Sequence, residues 1–404
     1  MAGTEISGTT SRRTGDKRVM RIAMIGQQGL PARHGGVERA VEELAARLVE
    51  RGHEVTVFNQ WQPGPKARQH RGIRVRHVPA FGGKHLRNLT QSLLGTLAAT
   101  LGRYDVVHFH ALGPCLASPV ARLRPRTRLV VTLQGRDDQR AKWSRPAQVV
   151  LAAAAWMSAN VPHAGIAVSK QLQREFVEEF GRDTTHIPNG VTVTPQAAPV
   201  EADDPLQRFG LEPGRYLLNV GRLVPEKAID HLLVAFRDVP GDVRLAIVGG
   251  SSHTAEYTER LRSLAAEDPR IVLTGPIYGA GTDRLFRNAL GYVMPSLLEG
   301  LPLALLEAIS YGLPLVVSDI EPHLEIVGDS GPGHRVFATG DLEQLTKQMT
   351  TLVNEPAAEQ AGAYGLRDEV LVDYSWDAVA ARTEALYRTL LTSRRHPAAR
   401  RGGA

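Results

Sequence analysis

Short apolar runs rich in Val, Ile and Leu alternate with segments of helical period along almost the whole chain. In the first half the runs are RIAMIG (21–26), EVTVFN (54–59), DVVHFH (105–110), RLVVTL (128–133) and GIAVS (165–169). Between the first two, ERAVEELAARLVERGH carries Val41, Leu44, Ala45 and Leu48 at helical spacing and stops at Gly52. A second series follows the polar, proline-containing stretch VTPQAAPVEADDP (193–205). Its runs are YLLNVG (216–221), VRLAIVG (243–249), RIVLTG (270–275), GYVMPS (291–296) and PLVVSD (314–319).

Strand–helix alternation predicts parallel sheets covered by helices, so two series predict two Rossmann-like, doubly wound α/β domains facing each other. The expected spans are 20–195 and 206–374, followed by an amphipathic helix over 375–392 that suits packing back on the first domain. Residues 1–19 and 393–404 are expected to be disordered tails. Ligands of such sheets bind beyond the carboxyl ends of the strands, which places the site in the cleft between the domains.

Composition narrows the class. The 404 residues exceed the roughly 250–300 that one core serves. One cysteine, Cys115, excludes an internal disulfide framework and a Cys-rich metal site. The N-terminus lacks an apolar signal region, and the longest apolar stretch, Val149 to Ala159, is 11 residues and too short to span a bilayer. A cytoplasmic protein is expected. Residues 1–200 hold 28 Lys+Arg against 14 Asp+Glu, whereas residues 201–404 hold 20 against 28. The basic half is either a solvated face or meets something anionic: a diphosphate, a lipid-linked phosphate or the inner membrane leaflet, where the protein would sit peripherally. Nucleic acid is not expected, because no recognition motif accompanies the charge.

Candidate chemistry clusters after the strands. The first strand enters IGQQGLPARHGGVERAVEEL, where Gly35 and Gly36 precede a helix and could let an anion approach its N-terminus, or simply serve a turn. His108 and His110 share one strand face; without a third ligand type nearby, no metal site is expected, and His110 reads as a hydrogen-bonding group or a satisfied buried histidine. After YLLNVG come Arg222 and Lys227, a plausible diphosphate clamp of a guanidinium fork and an ammonium point charge. In MPSLLEGLPLALLEAISYGLP, Glu299 and Glu307 stand eight apart on a strand–loop–helix corner. Carboxylates accept paired hydrogen bonds from vicinal hydroxyls, so this corner can read two sugars. Gly300 and the N–H groups of Leu301, Leu303 and Ala304 can meet a phosphate between them.

Together these residues resemble the retaining glycosyltransferases of family 4, which have the GT-B fold. The E-x7-E pattern at Glu299 and Glu307 is the most specific mark, supported by NVGRLVPEKAIDHLLVAF (219–236), IPNGV (187–191) and VVHFHA (106–111). The N-terminal segment looks like a bacterial subgroup with rhamnosyl- and glucosyltransferases of surface polysaccharide assembly. The resemblance spans roughly residues 20–392. It implies transfer of a hexose or deoxyhexose from a nucleotide sugar to a glycan, lipid-linked or small-molecule acceptor, with retention and without a metal or other cofactor. It implies that His110 bonds the transferred sugar, Arg222 and Lys227 hold the diphosphate, Glu299 the donor hydroxyls and Glu307 the ribose. Gly35 and Gly36 would border the diphosphate and acceptor, and Tyr278, in GPIYGAG (275–281), would flank the base. Departures are Ala228 for the usual glycine of E-K-G, Leu301-Pro302 for the usual aromatic of E-G-F/W-G, and Gln134 where relatives carry histidine.

Phosphorylases and sugar-nucleotide epimerases share this fold. A phosphorylase needs a lysine for pyridoxal phosphate in the second domain, where Lys227 and Lys347 are the only lysines. A non-enzymatic sugar-binding module is the remaining class and usually carries a signal sequence.

Overall fold

The computed structural model describes residues 18–27, 29–32, 36–61, 67–135, 145–192, 204–250 and 255–393. Both expected tails, except residues 18, 19 and 393, and the linker from 193 to 203 lie outside these residues.

Strands β1 (Arg21–Ile25), β2 (Glu54–Gln60), β3 (Gln69–His70), β4 (Ile73–Val78), β5 (Val106–His110), β6 (Arg128–Leu133), β7 (Ala164–Ala167) and β8 (Thr185–His186) form one sheet in the order β3-β4-β2-β1-β5-β6-β7-β8. Only β3 pairs antiparallel. Around it stand α1 (Gly36–Glu50), α2 (Lys84–Leu101), α3 (Ser118–Arg122), α4 (Arg145–Asn160) and α5 (Lys170–Phe180). The second sheet takes β9 (Tyr216–Val220), β10 (Arg244–Val248), β11 (Ile271–Gly275), β12 (Gly291–Met294), β13 (Leu315–Ser318) and β14 (His334–Phe337), all parallel, in the order β11-β10-β9-β12-β13-β14. Its helices are α6 (Pro205–Phe209), α7 (Ile229–Phe236), α8 (Ala255–Ala266), α9 (Ala280–Asn288), α10 (Leu303–Ser310), α11 (Glu321–Val327), α12 (Leu342–Asn354) and α13 (Pro356–Asp373); α14 (Trp376–Thr392) ends the described chain.

These are two Rossmann-like α/β domains. The central strands are buried on both faces, as continuous apolar runs require in parallel sheets. Each sheet has a point where successive connections leave in opposite directions, at β1/β5 and at β9/β12, and a crevice opens there beyond the carboxyl ends. The ten expected strands are present to within two residues at either end. Strands β3, β4, β8 and β14 had no such signal: β3 and β8 are two residues long, and IRVRHV in β4 alternates apolar with basic residues near the sheet edge.

The chain crosses between the sheets twice. On one crossing the Val191 N–H donates to the Tyr374 carbonyl of the other at 2.7 Å, and Val191 bridges Ser375. Gly190 permits this, since a Cβ there would stand 2.8 Å from the Trp376 nitrogen. The second crossing delivers α14 to the first domain. Ser375 caps it through the Ala378 N–H, and Trp376, Val379, Ala380 and Tyr387 join a core with Ile22, Met24, Val41 and Leu44. Its one buried acid is held by cations: Arg51 Nε donates to Glu384 at 2.5 Å and Arg388 Nε at 2.8 Å. Burial pushes the Glu384 carboxyl up, but these bonds and charges outweigh it and hold it at about 2.

A folded-state value below the unfolded one means stability that is present above about pH 4.5 and lost as pH falls toward 2. Glu384→Gln should therefore cost on the order of 2–3 kcal/mol at pH 7. Thermal unfolding of both proteins should show the difference shrinking steadily below about pH 4.5; a difference independent of pH would contradict the assignment.

Candidate active site

From the first domain, the turn after β1 presses against the end of β5. Gly26 has φ +128°, and a Cβ there would lie 2.3 Å from the His110 carbonyl oxygen, so only glycine fits. His108 and His110 share one face of β5, as period two requires, with rings 4.1 Å apart. Their surroundings differ. His108 Nδ1 lies 2.6 Å from the Tyr387 hydroxyl and Nε2 2.7 Å from Thr132 Oγ1, so His108 is a satisfied core histidine. Both ring nitrogens of the buried His110 lack a partner among the described residues, and burial pushes its imidazole down to about 3. It is neutral near pH 7 and has hydrogen-bonding capacity to spend. Its small cavity is also lined by Gln134, Asn189 and Trp376. Among the described residues no cluster of three His, Cys, Asp or Glu could hold a metal ion.

From the second domain, the turn after β9 presents Arg222, exposed and without a side-chain partner among the described residues. A 3-10 turn over Pro225–Lys227 follows, then Ala228 at φ +47°, which starts α7. Lys227 Nζ donates to Glu299 Oε1, which also accepts from Ser296 Oγ at 2.8 Å. The Leu297 N–H donates to the Glu226 carbonyl at 2.9 Å, so the cationic loop and the acidic loop are tied twice. Burial pushes the Glu299 carboxyl up; Lys227, His323 and the Ser296 bond reverse this and hold it below the usual carboxylate range. Glu299 is ionised, and Oε2 has no partner among the described residues.

His323, at the start of α11, had no signal in the sequence. It is fully buried, its Nδ1 lies 3.1 Å from Ser318 Oγ, and burial pushes it down to about 4. Arg39 was also missed. It reaches from α1 across the cleft and donates to Glu307 Oε1. Burial pushes the Glu307 carboxyl up against this partner, which lowers it, and the net direction is upward. The two domains touch closely here: a Cβ on Gly300 would lie 2.4 Å from the Gln134 carbonyl oxygen, and one on Gly36 would lie 3.0 Å from Leu303 Cδ1. Gly36 opens α1, whereas its predicted companion Gly35 lies outside the described residues. Leu303 and Ala304 start α10, where N–H groups have no intrahelical acceptor; Leu301 is buried just before it.

Arg222, Lys227, Glu299 and Gly300 thus line one interdomain cleft with Gly135, Ser169 and Glu175. His110 lines the adjoining cavity. Tyr278 lines neither: it is exposed on the loop after β11, two strands from β9, or about 10 Å across the sheet.

Residues 34–194 match the family model Glycosyltransferase Family 4, and residues 206–367 match Glycosyl transferases group 1. The chain is a glycosyltransferase of the GT-B fold. Among its relatives, the alpha-maltose-1-phosphate synthase of Mycobacterium tuberculosis is 27% identical over 392 residues, covering 91% of this chain and 99% of the relative. The phosphatidyl-myo-inositol mannosyltransferase of Mycobacterium leprae is 29% identical over 386 residues, covering 93% and 98%. Among solved structures, sucrose-phosphate synthase from Thermosynechococcus elongatus superimposes with a TM-score of 0.77 at 22% identity, covering 93% of this chain and 100% of that one. Anabaena HepE, solved with UDP and glucose, gives 0.75 at 18% identity, covering 92% and 100%.

In this glycosyltransferase Ala228 carries a left-handed backbone that costs an L-residue with a side chain about 1–2 kcal/mol. Ala228→Gly should raise stability by up to about 1 kcal/mol after the entropic cost of glycine. A calorimetric melting temperature at or below that of the wild type would show that the strain is absorbed elsewhere.

Proposed function

We propose that the cleft binds a nucleoside-diphosphate sugar and that the enzyme transfers its hexose or deoxyhexose with retention of configuration. The acceptor class is a glycan, a lipid-linked sugar or a small molecule, in surface polysaccharide or glycoconjugate assembly. One observation carries this reading: an unpartnered Arg222 beside the buried Lys227–Glu299 pair, at the carboxyl end of β9 and beside the N-terminus of α10. Cations and helix N–H groups gather where a diphosphate leaving group gains charge, while an ionised Glu299 can only accept, as sugar hydroxyls require. His110, neutral and unpartnered, can accept from or donate to the transferred sugar. Glu307 is read as the ribose ligand; a ribose there has to displace Arg39 or share the carboxylate with it.

A donor phosphate oxygen would take the acceptor proton as the acceptor oxygen attacks C1 on the face the diphosphate leaves, so no enzyme nucleophile, metal or other cofactor enters. Lys227 is committed to Glu299, which disfavours a Schiff base and hence a phosphorylase. Of the related proteins, two are named as synthases of sugar phosphates, one as a mannosyltransferase, and one was solved with UDP and glucose, which supports a nucleotide-sugar donor. Base contact by Tyr278 remains part of the proposal and calls for the loop after β11 to reach the nucleotide.

A mass-spectrometric hydrolysis screen over UDP-, GDP-, ADP- and dTDP-sugars should identify a donor, and preference for free sugar over every nucleotide sugar in titration would refute the reading. With that donor, Arg222→Ala should lower kcat by about 10²–10³-fold. Glu307→Gln should weaken donor binding by at least about tenfold while the melting temperature changes little. Wild-type affinity in the latter variant would remove Glu307 from the ribose.

A further inference from the structure

Helix α2 is amphipathic in the wrong sense for a helix that meets only water. Its inner face carries Gln91, Ser92, Gly95, Thr96 and Ala99. Gln91 Nε2 donates to the Gln27 carbonyl at 2.8 Å and to the Phe58 carbonyl at 3.1 Å, and Gly95 lets the helix lie on Phe58 and Ile25. Its outer face carries Leu86, Leu89, Leu93, Leu97 and Leu101 at intervals of three and four residues, with exposures from 37% at Leu89 to 74% at Leu101. A globular helix ordinarily turns such a stripe inward. Both α2 and α4 pack on the 3-10 turn Gly113–Ala117, and α4 is likewise uncharged from Pro146 to Asn160, with Val149 and Trp156 exposed on it. A row of exposed apolar side chains of this kind marks an interaction site.

The charge around this face identifies the occupant. From 79 to 104 the sequence contains no Asp or Glu, and none occurs from 106 to 136. Arg124 Nη1 donates to the Thr100 carbonyl, which places the end of α3 and the loop after it, with exposed Arg122, Leu123 and Arg126, at the C-terminal end of α2. Arg87 stands exposed near the other end, and Arg103 just past Leu101. A leucine stripe flanked by arginines and free of acids matches an anionic bilayer surface: leucines enter the acyl boundary while guanidiniums stay at the phosphates. A second copy of this chain would bring one arginine rim against another. Among the described residues no helix is long and apolar enough to cross a membrane, so the contact is peripheral.

We infer that the outer face of α2, extended by α4, docks this protein on an anionic lipid surface. This stands independently of the donor reading, because none of these residues lines either cavity of the candidate site.

Flotation of the full chain with vesicles of equal parts phosphatidylglycerol and phosphatidylcholine tests it, with pure phosphatidylcholine as the comparison. The wild type should float with the anionic vesicles, and raised salt should release it in part. Leu93→Ser/Leu97→Ser should weaken partitioning by at least about tenfold. Arg87→Glu/Arg126→Glu should weaken binding to anionic vesicles and leave the weak binding to phosphatidylcholine unchanged. Both pairs are exposed, so melting temperature should hold; if the serine variant misfolds, the glutamate variant decides. Flotation of a folded leucine variant like the wild type, no flotation of the wild type, or a dimer that Leu93→Ser/Leu97→Ser dissociates without any lipid binding would each overturn the inference.

Discussion

The double crossing of the chain, pinned where Val191 bonds Tyr374, is the constraint on which the rest depends. It sets two parallel sheets with their carboxyl ends toward a common cleft, and it returns α14 to the first domain. Because α14 buries Trp376 and Tyr387 there, the second crossing is anchored beyond the hinge as well as within it. Any relative movement of the domains then has to pass through the few residues of the two crossings, where Gly190 and Trp376 are in contact.

Within that frame the cleft is lined by one charge pair held inside the second domain and by others that span the two domains. Lys227 and Glu299 are both largely removed from water, and such a pair is tolerated because Ser296 and the ammonium share one carboxylate oxygen. Across the cleft the interactions are interdomain. Arg39 meets Glu307, Arg174 meets Glu321, and Glu325 accepts from the Lys170 N–H at 2.7 Å and faces His186 at 2.9 Å. All three of these acids belong to helix starts or interiors of the acidic second half, and the N–H group and cations that meet them belong to the basic first half. The charge imbalance between the halves is therefore spent partly on docking the domains, not only on outside partners.

Much of the fold was readable because apolar period-two runs and helical stretches alternate so regularly, and the domain count followed from the restart at Tyr216. The short strands β3 and β8 carry too few residues to register, and β4 hides behind its arginines. In the site, Arg222, Lys227, Glu299 and Glu307 stand out through local spacing on strand–loop–helix corners. Arg39 does not, because it matters through Glu307, 268 positions away; His323 does not, because only the folded chain buries it and sets it beside Glu299. His108 and His110 look identical in the sequence; Tyr387, from the far end of the chain, separates them by satisfying one and leaving the other free.

Glycine placement decides how tightly the site closes. Gly300 meets the Gln134 carbonyl and Gly36 meets Leu303 with no room for a side chain at the first and little at the second. Both lie at points where a backbone from one domain reaches a helix start of the other, so the close approach and the exposed N–H groups arise together. A Cβ at Gly300 would push the Glu299 loop away from Gly135, and the carboxylate would lose its alignment with Lys227 even though no charged group had changed. Geometry at this corner rests on what glycine omits, and the departures at Ala228 and Leu301 are tolerated because neither intrudes on that contact.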